Sequence, residues 1–140
     1  MKFIVKLFMG LQVGMYRLTK GKLGGNMGKF KVLILTTKGR RSGKIFSNPV
    51  GYFERDGGYL IVASKRGAPT NPAWFVNMAK NPDKVWLEVG NRKFRAKVNS
   101  LQGKEREDGL ARVAAVAPRY GEYQVKTDRE IPVIRLTPAE

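Results

Sequence analysis

The residues best equipped for chemistry lie in one basic turn, Lys38-Gly39-Arg40-Arg41-Ser42-Gly43-Lys44. Its glycines let backbone N–H groups come close to an anion. Its adjacent guanidinium groups can add charge-assisted, two-pronged hydrogen bonds to a phosphate or a carboxylate. Basic hairpin tips are also common as solvated turns, so the turn alone leaves its ligand open. A second basic tip, Lys65-Arg66-Gly67, follows the end of a strand-like segment. Asn71-Pro72-Ala73-Trp74 comes next and reads as an N-cap followed by proline at the first helical position, a helix end that favours negative charge. Two basic tips and a helix N-terminus could converge on one phosphate, or could be three independent loop ends. Trp74 and Phe75 suit core packing or a wall beside an aromatic cofactor. Tyr120 and Tyr123, three apart in a segment read as a loop after Pro118, suit ordinary burial or the lining of a substrate pocket.

What is missing narrows the chemistry. The chain has 140 residues and neither cysteine nor histidine. Disulfides, thiolate catalysis, a histidine-dependent triad and Cys- or His-ligated metal are therefore excluded, and no metal site is expected. Asp, Glu, Lys and Tyr are the acid–base groups left, so if the protein is an enzyme, a bound cofactor should carry the reaction. Lys and Arg number 27 against 11 Asp and Glu, a formal charge of +16. Such a balance draws in polyanions: nucleic acid, an anionic membrane or a phosphorylated cofactor. A basic nucleic-acid-binding module stays open as an alternative, and it predicts steeply salt-dependent binding. No helix–turn–helix or RNA-binding motif accompanies it.

The elements that must position these residues are short and mostly hairpin-linked. Lys31 to Thr37 is β-branched and apolar, a buried strand. Ile45 to Glu54 resumes after the basic turn, with Pro49 marking an edge or a bulge. Arg55-Asp56-Gly57-Gly58 is a tight hairpin turn leading to a strand over Tyr59 to Ser64. A helix runs from Asn71 to about Lys80, and Lys84–Val89 and Arg92–Ser100 form a hairpin across Gly90-Asn91. A second helix covers Lys104 to Ala117, and the last strand is Ile131 to Leu136. At the start, Ile4, Phe8, Leu11, Met15 and Leu18 follow helical spacing, an amphipathic helix that packs on the domain, covers a ligand or touches a membrane surface. The apolar run there is too short to span a bilayer and carries no clear cleavage site. The expected architecture is a single α+β, mostly β domain over 1–140. It holds about six mainly antiparallel strands closed into a small barrel over 29–136, an N-terminal helix over 1–20 and two further helices.

With these residues in view, the chain resembles the deazaflavin-dependent nitroreductases, a branch of the split β-barrel flavin-like oxidoreductases. The likeness is carried, in order, by Met15-Tyr16-Arg17, Leu23-Gly24-Gly25, Leu35 to Gly43, Asn48-Pro49, Arg55 to Gly58, Val62 to Lys65, Asn71 to Phe75 with Asn77, Asn81-Pro82, Tyr120, Tyr123 and Thr127 to Pro132. Each motif is weak, but the ordered set spans nearly the whole chain. The resemblance implies a split β-barrel that binds coenzyme F420, a deazaflavin with a phosphodiester and a polyglutamate tail. It implies hydride transfer from the reduced cofactor to a quinone, a nitro compound or another electron-poor acceptor. The cofactor-binding set it implies is Lys38, Arg40, Arg41, Ser42, Lys44, Asn48, Ala63, Ser64, Lys65, Ala73, Trp74 and Asn77. Within that set Arg40, Arg41 and Ser42 take the phosphate and tail, Ser64 and Lys65 approach the ring, and Trp74 and Asn77 border it. Tyr120 and Tyr123, with Ser64, fall on the reacting side, where the tyrosines line the acceptor pocket. The chain departs from the family at three places. Phe46 stands where a basic residue is common, with Lys44 as the substitute; Ala117 stands where a third tyrosine is common; and Gly51 precedes Tyr52. An FMN-binding split barrel is the nearest alternative, and a homodimer is expected by analogy. The expected location is cytoplasmic, with membrane association through the N-terminal helix left open.

Overall fold

Successive side chains along a strand point to opposite faces, so one face of each strand fills the barrel interior, while 32–35 and 58–62 are apolar runs buried on both faces. The computed structural model describes residues 13–14, 16–18, 26–27 and 30–139. β1 (Asn26–Met27) is a short strand on the edge of β2 (Phe30–Lys38). β3 (Ile45–Arg55), β4 (Gly58–Val62), β5 (Val85–Val89), β6 (Arg92–Ser100) and β7 (Val133–Pro138) complete the sheet. The order β1-β2-β3-β4-β7-β6-β5 returns on itself because β5 also pairs with β2. Six antiparallel strands therefore form a closed barrel, as expected.

Two long strands make the closure work by changing partners partway. β3 pairs with β2 through Ile45–Tyr52 and then with β4 through Phe53–Arg55. β6 pairs with β5 through Arg92–Arg95 and then with β7 through Ala96–Ser100. Strands that switch sheets in this way form the corners between two sheets. Pro49 sits in the half of β3 whose register is set by β2 alone, where a missing N–H is tolerated. At the β3–β4 hairpin, Asp56 and Gly57 both take positive φ, 51° and 75°, the geometry that a two-residue type I′ turn demands.

Leu33, Leu35, Val50, Tyr52, Ile61, Leu87, Ile134 and Leu136 fill the interior. Helix α1 (Ala73–Lys80) adds Met78 to that cluster, with Trp74 and Phe75 packed against it. Outside the barrel, α2 (Gly103–Val116) and α3 (Arg119–Lys126) cover Leu60, Val62 and Val133 with Leu110, Val113 and Tyr120. α3 corrects the loop expected after Pro118: the proline that ends α2 also caps the next helix, and burial of Tyr120 on the barrel holds it there. The last strand lies two residues later than expected, and β1 is a strand the sequence pattern does not predict.

The helical residues 13, 14 and 16–18 lie across the outer face. Val13 and Tyr16 cover Ile34, whereas Leu18, placed on the apolar stripe by spacing, is 86% exposed. Ile4, Phe8, Leu11 and Met15 fall outside the described residues. The docking is polar as well as apolar: Tyr16 OH donates to Glu88 O (3.1 Å) and accepts from Gly90 N (2.7 Å). Arg17 holds the Glu88 carboxylate at 2.8 Å and donates to Ser47 Oγ at 3.1 Å. No helix among the described residues is long and apolar enough to cross a membrane.

Tyr16→Phe removes a hydroxyl that makes two part-buried hydrogen bonds, to Glu88 O and Gly90 N, so at about 0.5–1.5 kcal/mol each urea denaturation should show a loss of about 1–3 kcal/mol. Alkaline titration provides a second check. Burial, with Glu54 adding to it, pushes the Tyr52 phenol up to about 12, and burial also raises Tyr16. A phenol held neutral by the fold contributes stability that is complete below its unfolded value of 10 and is lost as pH rises through about 12. The unfolding free energy should therefore fall across that window, and phenolate absorbance should appear late for Tyr52.

Candidate cofactor site

Antiparallel pairing of β2 with β3 throws the basic turn out at one end of the barrel, beside α1. The turn is closed by Gly39 N donating to Lys44 O (2.7 Å) and Gly43 N to Gly39 O (3.1 Å). Lys44 N donates to Ser42 Oγ at 3.2 Å. Gly43 takes φ 72°. α1 anchors the turn through Asn77, which is 4% exposed. Its Oδ1 accepts from both Arg40 N (3.2 Å) and Arg40 Nη1 (2.9 Å). One residue expected to meet a ligand thus also fixes the position of another. Asn81 Nδ2, at the other end of α1, reaches Lys38 O at 3.4 Å.

Between the turn, β3 and the start of α1 lies a groove of about 320 Å³. Gly39, Arg40, Arg41, Ser42, Phe46, Asn48, Ala73, Trp74 and Asn77 line it. Seven of the expected site residues therefore meet in one place. Phe46, noted in the sequence only as a departure, is a wall of the groove and is 45% exposed. It depends on Gly39: a Cβ there would come within 2.7 Å of the Phe46 ring and 3.2 Å of Lys44 O. The glycine keeps the floor open for close approach to the backbone. The groove joins an aromatic, partly apolar wall to a cationic rim, which suits a flat ring carrying an anionic chain.

The remaining expected residues lie elsewhere. Lys38 and Lys44 belong to the turn but do not line the groove. Ala63, Ser64 and Lys65 lie on the second tip, a single 3-10 turn over Lys65–Gly67. Lys65 (φ 45°) and Arg66 (φ 56°) both hold left-handed backbone that non-glycine residues seldom adopt. Lys65 Nζ donates to Thr70 Oγ1 at 3.1 Å. Gly67 presses on α3, where a Cβ would lie 3.0 Å from Tyr123 O. Tyr120 and Tyr123 pack edge to face, 5.8 Å apart, and Tyr120 also meets Phe53 at 5.9 Å. Tyr120 is 9% exposed, and burial raises its phenol further above 10, with Tyr123 adding to the rise. It is therefore protonated at neutral pH and is a weak acid.

The tip is tied down by Arg129, which residue type and spacing did not single out. Between Asp128 and Glu130 it looks like an ordinary surface charge. Folded, its Nε donates to Ala68 O (2.7 Å), Nη2 to Ser64 O (2.7 Å), and Nη1 to Ala63 O (3.2 Å) and Asn71 Oδ1 (2.9 Å). Asn71 is therefore not the expected N-cap. Its side-chain oxygen is taken by the guanidinium, Pro72 is the capping residue, and α1 begins at Ala73 without a side-chain cap. Among the described residues no group of carboxylates is arranged to hold a metal ion.

The chain is similar in sequence and in fold to known proteins. The sequence pattern of the family described as F420H(2)-dependent quinone reductase matches residues 8–138. An F420H(2)-dependent quinone reductase of Mycobacterium tuberculosis is 35% identical over 133 residues, covering 91% of this chain and 87% of that protein. The structure of an F420-H2 dependent reductase superposes with a TM-score of 0.67 at 38% identity, over 75% of this chain and 92% of that one. A second structure, described as a domain-swapped dimer, reaches 0.71 at 32% identity over 91% of this chain and 94% of that one.

Removing the Asn77 acceptor should release the turn. Asn77→Ala is expected to speed amide exchange at Arg40 and to lower the unfolding free energy by about 1–3 kcal/mol. Asn77→Asp keeps the acceptor oxygen and should leave the turn in place.

Proposed function

The chain belongs to the F420H(2)-dependent quinone reductase family, and from that premise we propose that it uses reduced coenzyme F420 to reduce a quinone, a nitro compound or another electron-poor acceptor. The observation that carries the reading is the groove itself. A cationic turn, an uncapped helix start and an aromatic wall face one another there, over a glycine that keeps the floor open. These features fit the two halves of F420, a flat deazaflavin and a polyanionic tail. When bound, the reduced deazaflavin supplies the hydride.

The chain's own residues have separable tasks in this reading. Arg40, fixed to Asn77, and Arg41, exposed on the rim, hold phosphate or carboxylate oxygens. Ser42 and Lys44 extend that grip, and Lys38 adds charge behind it. Trp74, Ala73 and Asn48 flank the ring-binding part, and Ser64 and Lys65 approach it from the second tip, next to Ala63. The positive end of α1 stabilises negative charge in the groove. Reduction of a quinone to a hydroquinone needs one proton as well as the hydride. Tyr120, buried and with its phenol raised, is a poor source of it; with Tyr123 beside it, it serves to shape and hydrogen-bond the acceptor pocket. The reading places the enzyme in the cytoplasm. A homodimer belongs to the same proposal, supported by the related structure described as a domain-swapped dimer.

Titration of the purified protein with F420 tests this directly. The expected outcome is saturable binding at micromolar cofactor and quinone-dependent oxidation of its reduced form. The double change Arg40→Ala, Arg41→Ala should weaken binding by roughly 1.5–3 kcal/mol for each charge-assisted bond lost. No binding by the wild type would sink the reading, and unchanged affinity in the double variant would remove these arginines from the site.

A further inference from the structure

We infer that Arg129 is a positioning residue for the reaction: it holds the Ser64–Gly67 tip in its strained shape and thereby sets the side of the site that faces the reacting ring. The inference rests on the proposed function, which places Ser64 and Lys65 beside that ring. Its own support is geometric. Lys65 and Arg66 are consecutive non-glycine residues in left-handed backbone. Such a turn persists only when its surroundings over-determine it. Within the turn, Gly67 N donates to Ser64 O (2.8 Å) and Ala68 N to Lys65 O (3.0 Å). The larger restraint comes from outside, where one guanidinium bonds Ala63 O, Ser64 O, Ala68 O and Asn71 Oδ1, closing the loop between β4 and α1 from both ends.

Arg129 is itself held. Gln124 of α3 donates through Nε2 to Arg129 O (2.8 Å), and its Oε1 accepts from Ile131 N (2.9 Å). Arg106 of α2, 4% exposed, donates to Ile131 O at 2.8 and 3.2 Å and also bonds Gln124 Oε1. Two helices on the outside of the barrel thus fix the segment that carries the clamp. The planar fork of arginine suits carbonyl groups spread around it; a lysine has one nitrogen and cannot span them. Asn71 lies two residues before Ala73, so the same clamp also sets where the groove-lining start of α1 stands.

The test is a split between turnover and affinity, measured on the full chain with F420 and a soluble quinone. Arg129→Lys keeps the charge and loses most of the clamp. It is expected to lower kcat by about tenfold or more while the Kd for F420 rises less than about threefold. Arg40→Ala, by contrast, should read as a rise in Kd. Asn71→Ala trims one acceptor and should lower kcat in the same direction by less, which keeps the test open should Arg129→Lys fail to fold. Circular dichroism confirms that the variants are folded. Folded variants with kcat within about twofold of the wild type, or with a raised Kd and unchanged kcat, would overturn the inference. Failure of the wild type to bind F420 would instead overturn the functional reading beneath it.

Discussion

The ladder between β2 and β5 carries the rest of the molecule. Ile34–Thr37 of β2 pair with Val85–Glu88 of β5 while the same strand pairs with β3 on its other side. Without that second ladder the seven strands would form an open sheet with unpaired edges, and a row of unpaired backbone groups would face water or another chain. With it, the interior closes around Leu33, Leu35 and Leu87, and both ends of β2 take fixed places. One end delivers the basic turn next to α1. The outer face of the same stretch, at Ile34 and Glu88, receives Tyr16 and Arg17. A single strand thus ties the core, the N-terminal contact and the basic turn together.

On that rigid frame the site is held by polar contacts between loops. Asn77 fastens the first tip through two atoms of Arg40, and Arg129 fastens the second through four acceptors at once. Both are planar groups able to serve more than one partner. The loops keep conformations they would not favour alone, including two consecutive left-handed residues. That is a form of preorganisation: the cost of ordering the loops is met on folding, so less of the cofactor's binding free energy is consumed in arranging them.

The charge distribution has a similar division of labour. Several cations are spent on structure: Arg17 on Glu88, Arg106 on Ile131 O with Glu107 and Glu130 nearby, and Arg129 on carbonyl oxygens. Arg41 stands exposed on the groove, and Lys44 is exposed on the same turn outside it. Arg17, Arg106 and Arg129 are a small part of the 27 basic residues, most of which stay on the surface. The four cations of the turn stand together because they are neighbours along the chain.

Much of this was legible in the sequence because it is local. Short apolar and β-branched runs define the strands, the Asp56-Gly57 turn sets a hairpin, and the glycines and arginines of 38–44 offer the chemistry of an anion site. The ordered motifs point to the family and its cofactor. Closure of the barrel through β2 and β5 was expected only as a class of fold, because its register depends on residues about fifty positions apart. α3 was read as a loop because its helical state depends on burying Tyr120 against Phe53, not on strong local propensity. Asn71 had the right type and spacing for an N-cap, yet a guanidinium fifty-eight residues away claimed its oxygen. Sequence by itself determined the strands, the turns and the chemistry on offer, since those follow from neighbours along the chain. Only the tertiary structure decided which cations are engaged within the fold and which stay exposed, because that depends on carbonyls and carboxylates brought together from distant segments.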